Sequence, residues 1–459
     1  MTREWIHLIG IGGISMSGIA EYLLDRGFRV SGSDLKKSEH LDRLQKLGAD
    51  IYIGHSRDNL GQADRVVVSS AIPGDNPELL AARERGVQVL KRAEIIAHFM
   101  QHHYGLAVSG THGKTTTTSM IAGLLNKDKF DPTIMVGADL SSINGNVRVG
   151  TGDYFLTEAD ESDGSLLYFD PMVAVITNIE LDHPDYYDSR QKLKNTFREF
   201  IDKIPDSGKV IVWAEDKTIK ELVDFEDSRL FSYGFNSGDL RAYRPQLLPF
   251  GSYFTVDYNG HHLGEINLQV PGEHNILNAL AAVAVGMFIG LNFSEIKSSL
   301  EQFSGAARRF EKKGLINNVL IVDDYAHHPT EIKATLKAAA NTGYNRLIAV
   351  FQPHRYTRTS YLMDDFARSF ELVDHLIVTD IYSAGEQPIP GVTAERLVHK
   401  IAISNDLQID YIREKEDIVY YLQKILQPRD LLITIGAGNI YQVGEMLVNN
   451  YKRQQEMAE

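Results

Sequence analysis

Lys114, Thr115 and Thr116 directly follow Gly110-Thr111-His112-Gly113, and this run of glycine, lysine and hydroxyl carries the clearest chemistry in the 459-residue chain. Glycines let the backbone approach an anion, and N–H groups at a helix start point at it. A lysine reaches terminal phosphates, and a threonine hydroxyl can sit on a bound Mg²⁺. The elements needed to position these groups are present: a β-type run over 104–109 enters the loop and a helix-like run over 115–125 leaves it. Strict Walker A spacing fails, because Val108 stands where the first glycine is expected. A glycine turn capped by threonine is the competing reading, weakened by the joint presence of strand, lysine and Thr-Thr.

A second glycine loop, Gly10-Ile11-Gly12-Gly13-Ile14-Ser15, follows an apolar run over 5–9 and precedes a helix-like run ending near Gly27. A second strand-like run ends at Asp34. This order opens a Rossmann-like βαβ unit, with the acid placed for a ribose hydroxyl. Ser15 replaces the third glycine of the fingerprint. A dinucleotide, another nucleotide diphosphate and a turn without ligand therefore remain open. Ser69 and Ser70 follow a buried strand-like run, where parallel sheets bind ligands, although serines there also form turns.

Further on, Glu158-Ala159-Asp160-Glu161-Ser162-Asp163 places four carboxylates at the end of a strand-like run, and the next such run leads to Glu180, Asp182 and His183. Mg²⁺ takes one or two carboxylates beside substrate phosphates, so Glu158 and His183 suit a metal or a water-positioning role. An acidic loop alone reads as solvated surface. The order of lysine loop, acidic strand end and histidine strand end reverses that preference.

The totals agree with ordinary soluble globular material. The length suggests roughly three domains, and 43% hydrophobic and 24% charged residues suit chains with real cores. A net charge of −14 without basic blocks argues against nucleic-acid or anionic-membrane binding. With no cysteine, disulfides, thiolate metal sites and cysteine nucleophiles are excluded. The first residues run straight into strand and glycine loop without a secretory apolar region. The longest apolar run, 277–291, contains Asn278 and falls short of the ~20 residues of a membrane span. A cytoplasmic protein without membrane insertion is expected.

Segment 207–270 reads as strand, helix and β-rich turns without chemistry, and from residue 319 the βαβ rhythm returns. Strands are expected at 319–322, 347–351, 375–379 and 431–435. Helices are expected from Pro329, Ser360, Thr393 and Asn439, with a glycine turn at Gly436-Ala437-Gly438. Two strand ends carry polar clusters, Asp324 to His328 and His354 to Arg358. A guanidinium binds carboxylate with a planar fork, so Arg355 or Arg358 could hold that of an amino acid, against the blander surface ion pair. The expected fold is α/β in three domains. Residues 1–103 form a Rossmann-like domain, 104–312 a central P-loop ATPase-type domain on a mainly parallel sheet, and 313–459 a second Rossmann-like domain.

Taken together, these stretches resemble the Mur ligase family, which builds the peptide stem of peptidoglycan. The resemblance rests on Gly110 to Thr116, Glu158 to Ser165, Thr177-Asn178-Ile179-Glu180 and Asp182-His183-Pro184-Asp185. Gly272-Glu273-His274-Asn275-Ile276-Leu277-Asn278, Arg308-Arg309-Phe310-Glu311 and Asp323 to Glu331 continue it, and Phe351 to Thr359 and Gly436 to Ile440 complete it in family order.

The resemblance implies an ATP-dependent amide ligase joining L-alanine to the lactoyl carboxylate of UDP-N-acetylmuramate through an acyl phosphate. It implies Mg²⁺, as two ions, with Mn²⁺ an alternative. ATP would be held by Gly110, Thr111, His112, Gly113, Lys114, Thr115 and Thr116, with Asn275, Asn278, Arg309 and Asp324. Metal would bind Thr115, Glu158 and His183; the sugar nucleotide Gly10, Gly12, Gly13, Ser15, Asp34, Ser69 and Ser70; and the amino acid Tyr325, His327, Arg355 and Arg358. Lys114, Glu158, His183, Arg309, Asp324 and His327 would form the catalytic set, with His327 accepting the amine's proton. Several relatives carry a carbamylated lysine beyond the metal histidine. Arg198 stands there, with Lys192 and Lys194 off register, so none is expected. Two alternatives remain: a related ligase attaching a recycled peptide to the same sugar nucleotide, and a nucleotide-binding regulator without turnover.

Overall fold

The computed structural model describes residues 4–456 apart from Ser70, Asp128, Ser141, Ser142, Asn144 and Asp185. Five short strands open the chain: β1 (Trp5–Ile9), β2 (Arg29–Asp34), β3 (Asp50–Ile53), β4 (Arg65–Val68) and β5 (Gln88–Lys91). They pair in parallel in the order β3-β2-β1-β4-β5, as alternating strands and helices with crossover connections require. Between β1 and β4 the strand order reverses. The loops after these two strands, at Gly10 and Ser69, therefore flank the crevice where such sheets bind ligands.

Seven strands follow: β6 (Tyr104–Ser109), β7 (Thr133–Leu140), β8 (Gly145–Arg148), β9 (Tyr154–Glu158), β10 (Val173–Ile176), β11 (Lys209–Trp213) and β12 (Leu230–Gly234). They run in the order β12-β11-β10-β6-β9-β7-β8. All pair in parallel except β8, which returns antiparallel on β7. The run Leu106-Ala107-Val108 and the whole of β10 are buried, the continuous apolar signature of strands covered on both faces. The first helix, Ile14–Asp25, lies against the β7–β8 hairpin, where Asn146 Nδ2 donates to Ile14 O at 2.5 Å and Arg26 Nη2 to Gly150 O at 2.9 Å. A Cβ on Gly18 of that helix would come within 2.9 Å of Asn146 Nδ2, so only glycine lets the two approach this closely.

Three strands, β13 (Leu240–Leu248), β14 (Gly251–Tyr258) and β15 (His261–Leu268), form an antiparallel meander. The last sheet comprises β16 (Glu311–Ile316), β17 (Val319–Asp324), β18 (Arg346–Phe351), β19 (His375–Val378), β20 (Gln408–Tyr411) and β21 (Asp430–Ile435). Its order is β16-β17-β21-β18-β19-β20, parallel except for β16. Successive residues feed opposite faces. Val322, Ala349, Phe351 and Ile433 enter one core, and Ile321, Ile348, Val350 and Leu432 the other. Contacts divide the chain into two compact units. One is Met1–Glu180, Gln191–Asp239 and Ala281–Ile296; the other is Leu181–Arg190, Leu240–Leu280 and Lys297–Glu459.

Several local expectations need correction. The helix expected from Ser360 starts at Tyr356, running Tyr356–Tyr361 and then Met363–Ala367, so Arg358 is helical. β16 pairs with β17 from Glu311 onward. β20 and the helix Lys415–Ile425 were not anticipated. β20 is a four-residue edge strand with no fully buried residue, too short for periodicity to register. Among the described residues, no helix is long and apolar enough to cross a membrane.

The first sheet is braced by one buried carboxylate. Glu78 accepts from Ser33 Oγ at 2.5 Å, Asn59 Nδ2 at 2.6 Å and the Ser56 N–H at 3.1 Å, with His7 Nε2 at 3.2 Å. Burial alone would raise its pKa, but the bonds from His7, Ser33, Asn59 and Ser56 outweigh it and bring the value down to about 2. The folded value lies below the unfolded one, so this stabilisation is complete above pH ~4.5 and is lost as pH falls through about 2. Replacing Glu78 with Ala strands these donors in the interior. In urea unfolding at pH 7 it should cost about 3 kcal/mol, and the gap from the unaltered protein should narrow as the pH is lowered.

Candidate active site

The lysine loop sits at the carboxyl ends of three neighbouring strands. β6 lies between β9 and β10, with Val108 opposite Glu158 and Ser109 opposite Ile176. Gly113, at φ +81°, caps the helix Lys114–Leu125. Gly110 has φ +123°, and a Cβ there would lie 2.2 Å from Thr177 Oγ1, so both glycines are required by the backbone. The segment that follows β10 braces it: Thr111 Oγ1 donates to Glu180 O at 3.0 Å, and the His112 N–H donates to Asn178 Oδ1 at 2.9 Å. His112 Nε2 also lies 3.1 Å from Glu180 Oε2. Thr111 and His112 thus shape the loop through their side chains, and Thr116 is buried in the helix.

Lys114 turns its ammonium back over the loop. Nζ donates to Gly110 O at 2.6 Å and to Glu161 at 2.8 and 3.0 Å, with Thr111 O at 3.3 Å. Burial would lower its pKa, but Glu161, Asp160 and Glu158 together raise it, so the amine stays charged. Burial pushes Glu161 up to about 7, with Lys114 only partly offsetting it.

Glu158 Oε2 accepts from Thr115 Oγ1 at 3.3 Å, while Oε1 is buried with no hydrogen-bond partner. Burial raises this carboxyl, against Lys114 and Thr115. A buried carboxylate oxygen without a hydrogen-bond partner, beside a threonine hydroxyl, fits a hard divalent cation.

At the first glycine loop, Gly10 has φ +81° and its N–H donates to Ser33 O at 2.9 Å. Gly13 is the N-cap of the helix Ile14–Asp25. Asp34, expected at a ribose, accepts from the Gly12 N–H at 2.9 Å through one oxygen and from the Leu35 N–H at 2.7 Å through the other; it braces the loop. Ser15 Oγ accepts from Arg92 Nη1 at 3.1 Å, and Ser69 Oγ from the Ala71 N–H at 3.4 Å. Ser70 lies outside the described residues.

The second unit gathers the remaining candidates. Asp324, at the end of β17, accepts from the Phe310 and Ala326 N–H groups, both at 2.8 Å. Burial pushes its carboxyl up to about 6, moderated by Arg309. The Tyr325 ring lies under two guanidinium groups, Arg308 at 4.9 Å and Arg309 at 5.0 Å. Arg308 is held by Asp323 at 3.0 Å and by the carbonyls of Gly436 and Gly438 at 2.6 and 3.1 Å. Arg309 approaches Glu331 at 3.9 Å.

His327 donates Nδ1–H to Tyr325 O at 3.0 Å, which leaves the lone pair on Nε2. Burial, opposed by Glu331, lowers its pKa to about 4, so the ring is neutral at pH 7. Asn275 and Asn278 share a buried face near the start of the helix Glu273–Phe288, with Asn275 Nδ2 donating to Pro271 O at 2.7 Å and Asn278 Nδ2 to Asn275 Oδ1 at 3.3 Å.

Arg358 is not placed as a surface ion pair. It is 3% exposed and donates from Nε and Nη2 to both oxygens of Asp182 at 3.1 Å. Its Nη1 donates to His354 Nδ1 at 3.2 Å, so the proton of His354 sits on Nε2. Burial, with His327 and Arg358 adding to it, pushes His354 down to about 3. The His354 ring stacks on Tyr382 at 5.6 Å and lies 5.8 Å from His327. Despite burial, Arg358 holds the Asp182 carboxyl well below the usual range. The arginine fork that the sequence offered to an amino acid is thus committed to Asp182, whose next residue is His183. Arg355, at φ +68°, caps the helix Tyr356–Tyr361 from its N-terminal side.

Three residues escaped the sequence reading as individuals. Glu161 was one of four acids in a row, and nothing in the spacing marks it as the one on Lys114. Asp182 and Glu331 stood in quoted motifs without an assigned contact.

A phosphate-type loop with a charged lysine and a cation-ready carboxylate, in a chain that also carries a Rossmann-like glycine loop, defines a nucleotide-dependent enzyme of α/β fold. The Mur ligase catalytic domain matches residues 5–104, the Mur ligase middle domain 108–286, and the Mur ligase glutamate ligase domain 308–438. A UDP-N-acetylmuramate–L-alanine ligase of Geotalea uraniireducens (strain Rf4) is 47% identical over 450 residues, covering 98% of each chain. Another so named, from Geobacter sp. (strain M21), is 48% identical over 455 residues, 99% of each. The crystal structure of the UDP-N-acetylmuramate-alanine ligase MurC from Thermotoga maritima superposes with TM-score 0.82 at 29% identity, covering 98% of this chain and 99% of that one. A murein peptide ligase from Psychrobacter arcticus 273-4, at 24% identity and TM-score 0.72 over 97% and 98%, shares the fold. The chain belongs to the Mur ligase family, and it is an ATP-dependent ligase.

The Asp182–Arg358 pair offers a structural test. Removing one partner of a buried ion pair leaves the other charge uncompensated, so Asp182→Ala should cost about 3–5 kcal/mol in urea unfolding. In a double-mutant cycle with Arg358→Met, the two losses should be strongly non-additive.

Proposed function

We propose that this protein joins L-alanine to the lactoyl carboxylate of UDP-N-acetylmuramate at the expense of ATP, in peptidoglycan precursor synthesis in the cytoplasm. Supporting this reading is similarity to alanine-adding ligases along almost the whole chain. The observation that carries the chemistry is the charged Lys114 of the loop, held by Glu161, together with Glu158 Oε1, which has no hydrogen-bond partner.

The lactoyl carboxylate attacks the γ-phosphorus of ATP, ADP departs, and the acyl phosphate keeps the carboxyl carbon activated. The alanine amine then attacks that carbon, phosphate leaves and the amine loses a proton. Lys114 and Arg309 neutralise charge on the transferring phosphoryl group. Thr115, Glu158 and His183 would hold Mg²⁺, which supplies further charge neutralisation at the phosphates. Asn275, Asn278 and Asp324 contribute to the ATP site. The glycine loop at Gly10, Gly12 and Gly13, with Ser15, Asp34 and Ser69, shapes the sugar-nucleotide site. Tyr325, His327 and Arg355 serve the amino acid, His327 accepting the amine's proton at Nε2. Arg358 acts there through His354, because its fork is held by Asp182. Residues 1–103, 104–312 and 313–459 are the proposed domains.

ADP release should require both UDP-N-acetylmuramate and L-alanine. Alanine should outperform serine, glycine and a tripeptide in a side-by-side panel; preference for the tripeptide would instead mark a peptide-recycling ligase. Lys114→Ala should lower kcat by at least about 10³-fold, and release of phosphate at the original rate would remove Lys114 from the reaction. EDTA should abolish turnover and Mg²⁺ restore it. Glu158→Gln should raise the Mg²⁺ concentration needed by about tenfold or more, read as half-saturation in a metal titration.

A further inference from the structure

The four carboxylates after β9 are not equivalent. Asp160 closes the turn, accepting from the Ser162 N–H at 3.2 Å, while its carbonyl takes the Leu166 N–H at 2.9 Å. Asp163 accepts from the Ser165 N–H at 3.0 Å. The turn ends at Gly164, at φ +71°, with the Gly164 N–H on Glu161 O at 2.9 Å. These bonds fix the backbone that carries Glu161 and aim its carboxylate at the loop. Its side chain is 1% exposed and reaches Lys114 Nζ through both oxygens, at 3.0 and 2.8 Å.

An ammonium has three protons, and here it already faces four acceptor atoms: Gly110 O, Thr111 O and both oxygens of Glu161. Phosphate oxygens entering the loop must compete for those protons. The competitor that carries charge is Glu161. Its negative charge also lies beside the place where an anion is to bind, and a site this buried screens the repulsion poorly.

We propose that Glu161 is a positioning residue for Lys114: it parks the amine over the loop when no nucleotide is bound and opposes nucleotide binding until the phosphates draw the amine away. This rests on the assignment of the loop to ATP. Glu161 thereby sets how tightly the nucleotide binds and limits the time product ADP stays. In an enzyme that must release ADP at every turnover, such a competitor shortens residence without touching the chemistry.

The test is calorimetric titration of the full-length protein with ADP and with a non-hydrolysable ATP analogue, alongside steady-state kinetics. Glu161→Gln keeps the shape and an acceptor but removes the charge. It should tighten ADP binding by about tenfold and lower KM for ATP without raising kcat. Glu161→Asp withdraws the carboxylate by one methylene and should tighten binding by a smaller factor, about twofold; it serves if the Gln variant fails to fold, as thermal unfolding will reveal. Unchanged or weaker ADP binding in a folded Glu161→Gln protein overturns the proposal. Lys114→Ala separates the two claims. If that variant binds ADP as the unaltered protein does, the loop assignment falls too. If it binds more weakly while Glu161→Gln shows no gain, only the role of Glu161 falls.

Discussion

The adjacency of β9, β6 and β10 is the constraint on which the first unit's chemistry depends. Parallel strands pair in fixed register, so once Val108 lies opposite Glu158 and Ser109 opposite Ile176, everything just past those residues must emerge together. The lysine loop, the acidic turn and the Thr177–Glu180 segment come from three places separated by dozens of residues in the chain. The sheet brings them within hydrogen-bonding distance. No side chain in the site needs to find another across open space. Each inherits its position from a buried ladder whose own reason for forming is apolar burial on both faces.

That ladder also explains which parts of the site could be read from residue order. Loop, carboxylate and histidine stand at strand ends, and strand ends are visible as breaks in short apolar runs. The glycines at 110 and 113 are legible because positive φ and close approach demand them. The same logic located the first glycine loop and the polar ends of β17 and β18. Partner choice was not legible. Asp34 fits a ribose-binding position in spacing, yet its two oxygens bond the N–H groups of Gly12 and Leu35. Arg358 looked available to a ligand carboxylate, yet it meets Asp182, 176 positions away in the chain. Pairing at that separation leaves no periodic trace, and edge elements such as β20 bury too little to leave one either.

Charge is handled in opposite ways in the two units. Around Lys114 the acids outnumber the cation: Glu161 touches it, and Asp160 and Glu158 act on it from further off. Glu158 Oε1 has no hydrogen-bond partner, and burial, with Asp160 adding to it, pushes the Glu161 carboxyl up to about 7. A site with surplus buried negative charge is poised for cations. At Asp182 and Arg358 the charges match one to one in bidentate geometry, and one Nη1 proton goes to a neutral histidine. Such a pair attracts nothing further. It works as a rivet that fixes the His183 backbone and the tautomer of His354 at once.

The backbone beside the rivet bears the strain expected of a fixed point. His183 adopts φ +55° and Arg355 φ +68°, one residue from Asp182 and three from Arg358. Neither is glycine, so each conformation costs on the order of 1 kcal/mol or more. Arg308 and Phe310, at φ +58° and +49°, repeat the pattern around Asp324, whose carboxylate takes the Phe310 N–H. In each case a buried carboxylate holds the neighbouring chain in a shape it would not choose alone. A loop relaxed by deleting the carboxylate would move the functional side chain without altering its identity. The acids at 182 and 324 therefore set the backbone geometry on which the neighbouring side chains are carried.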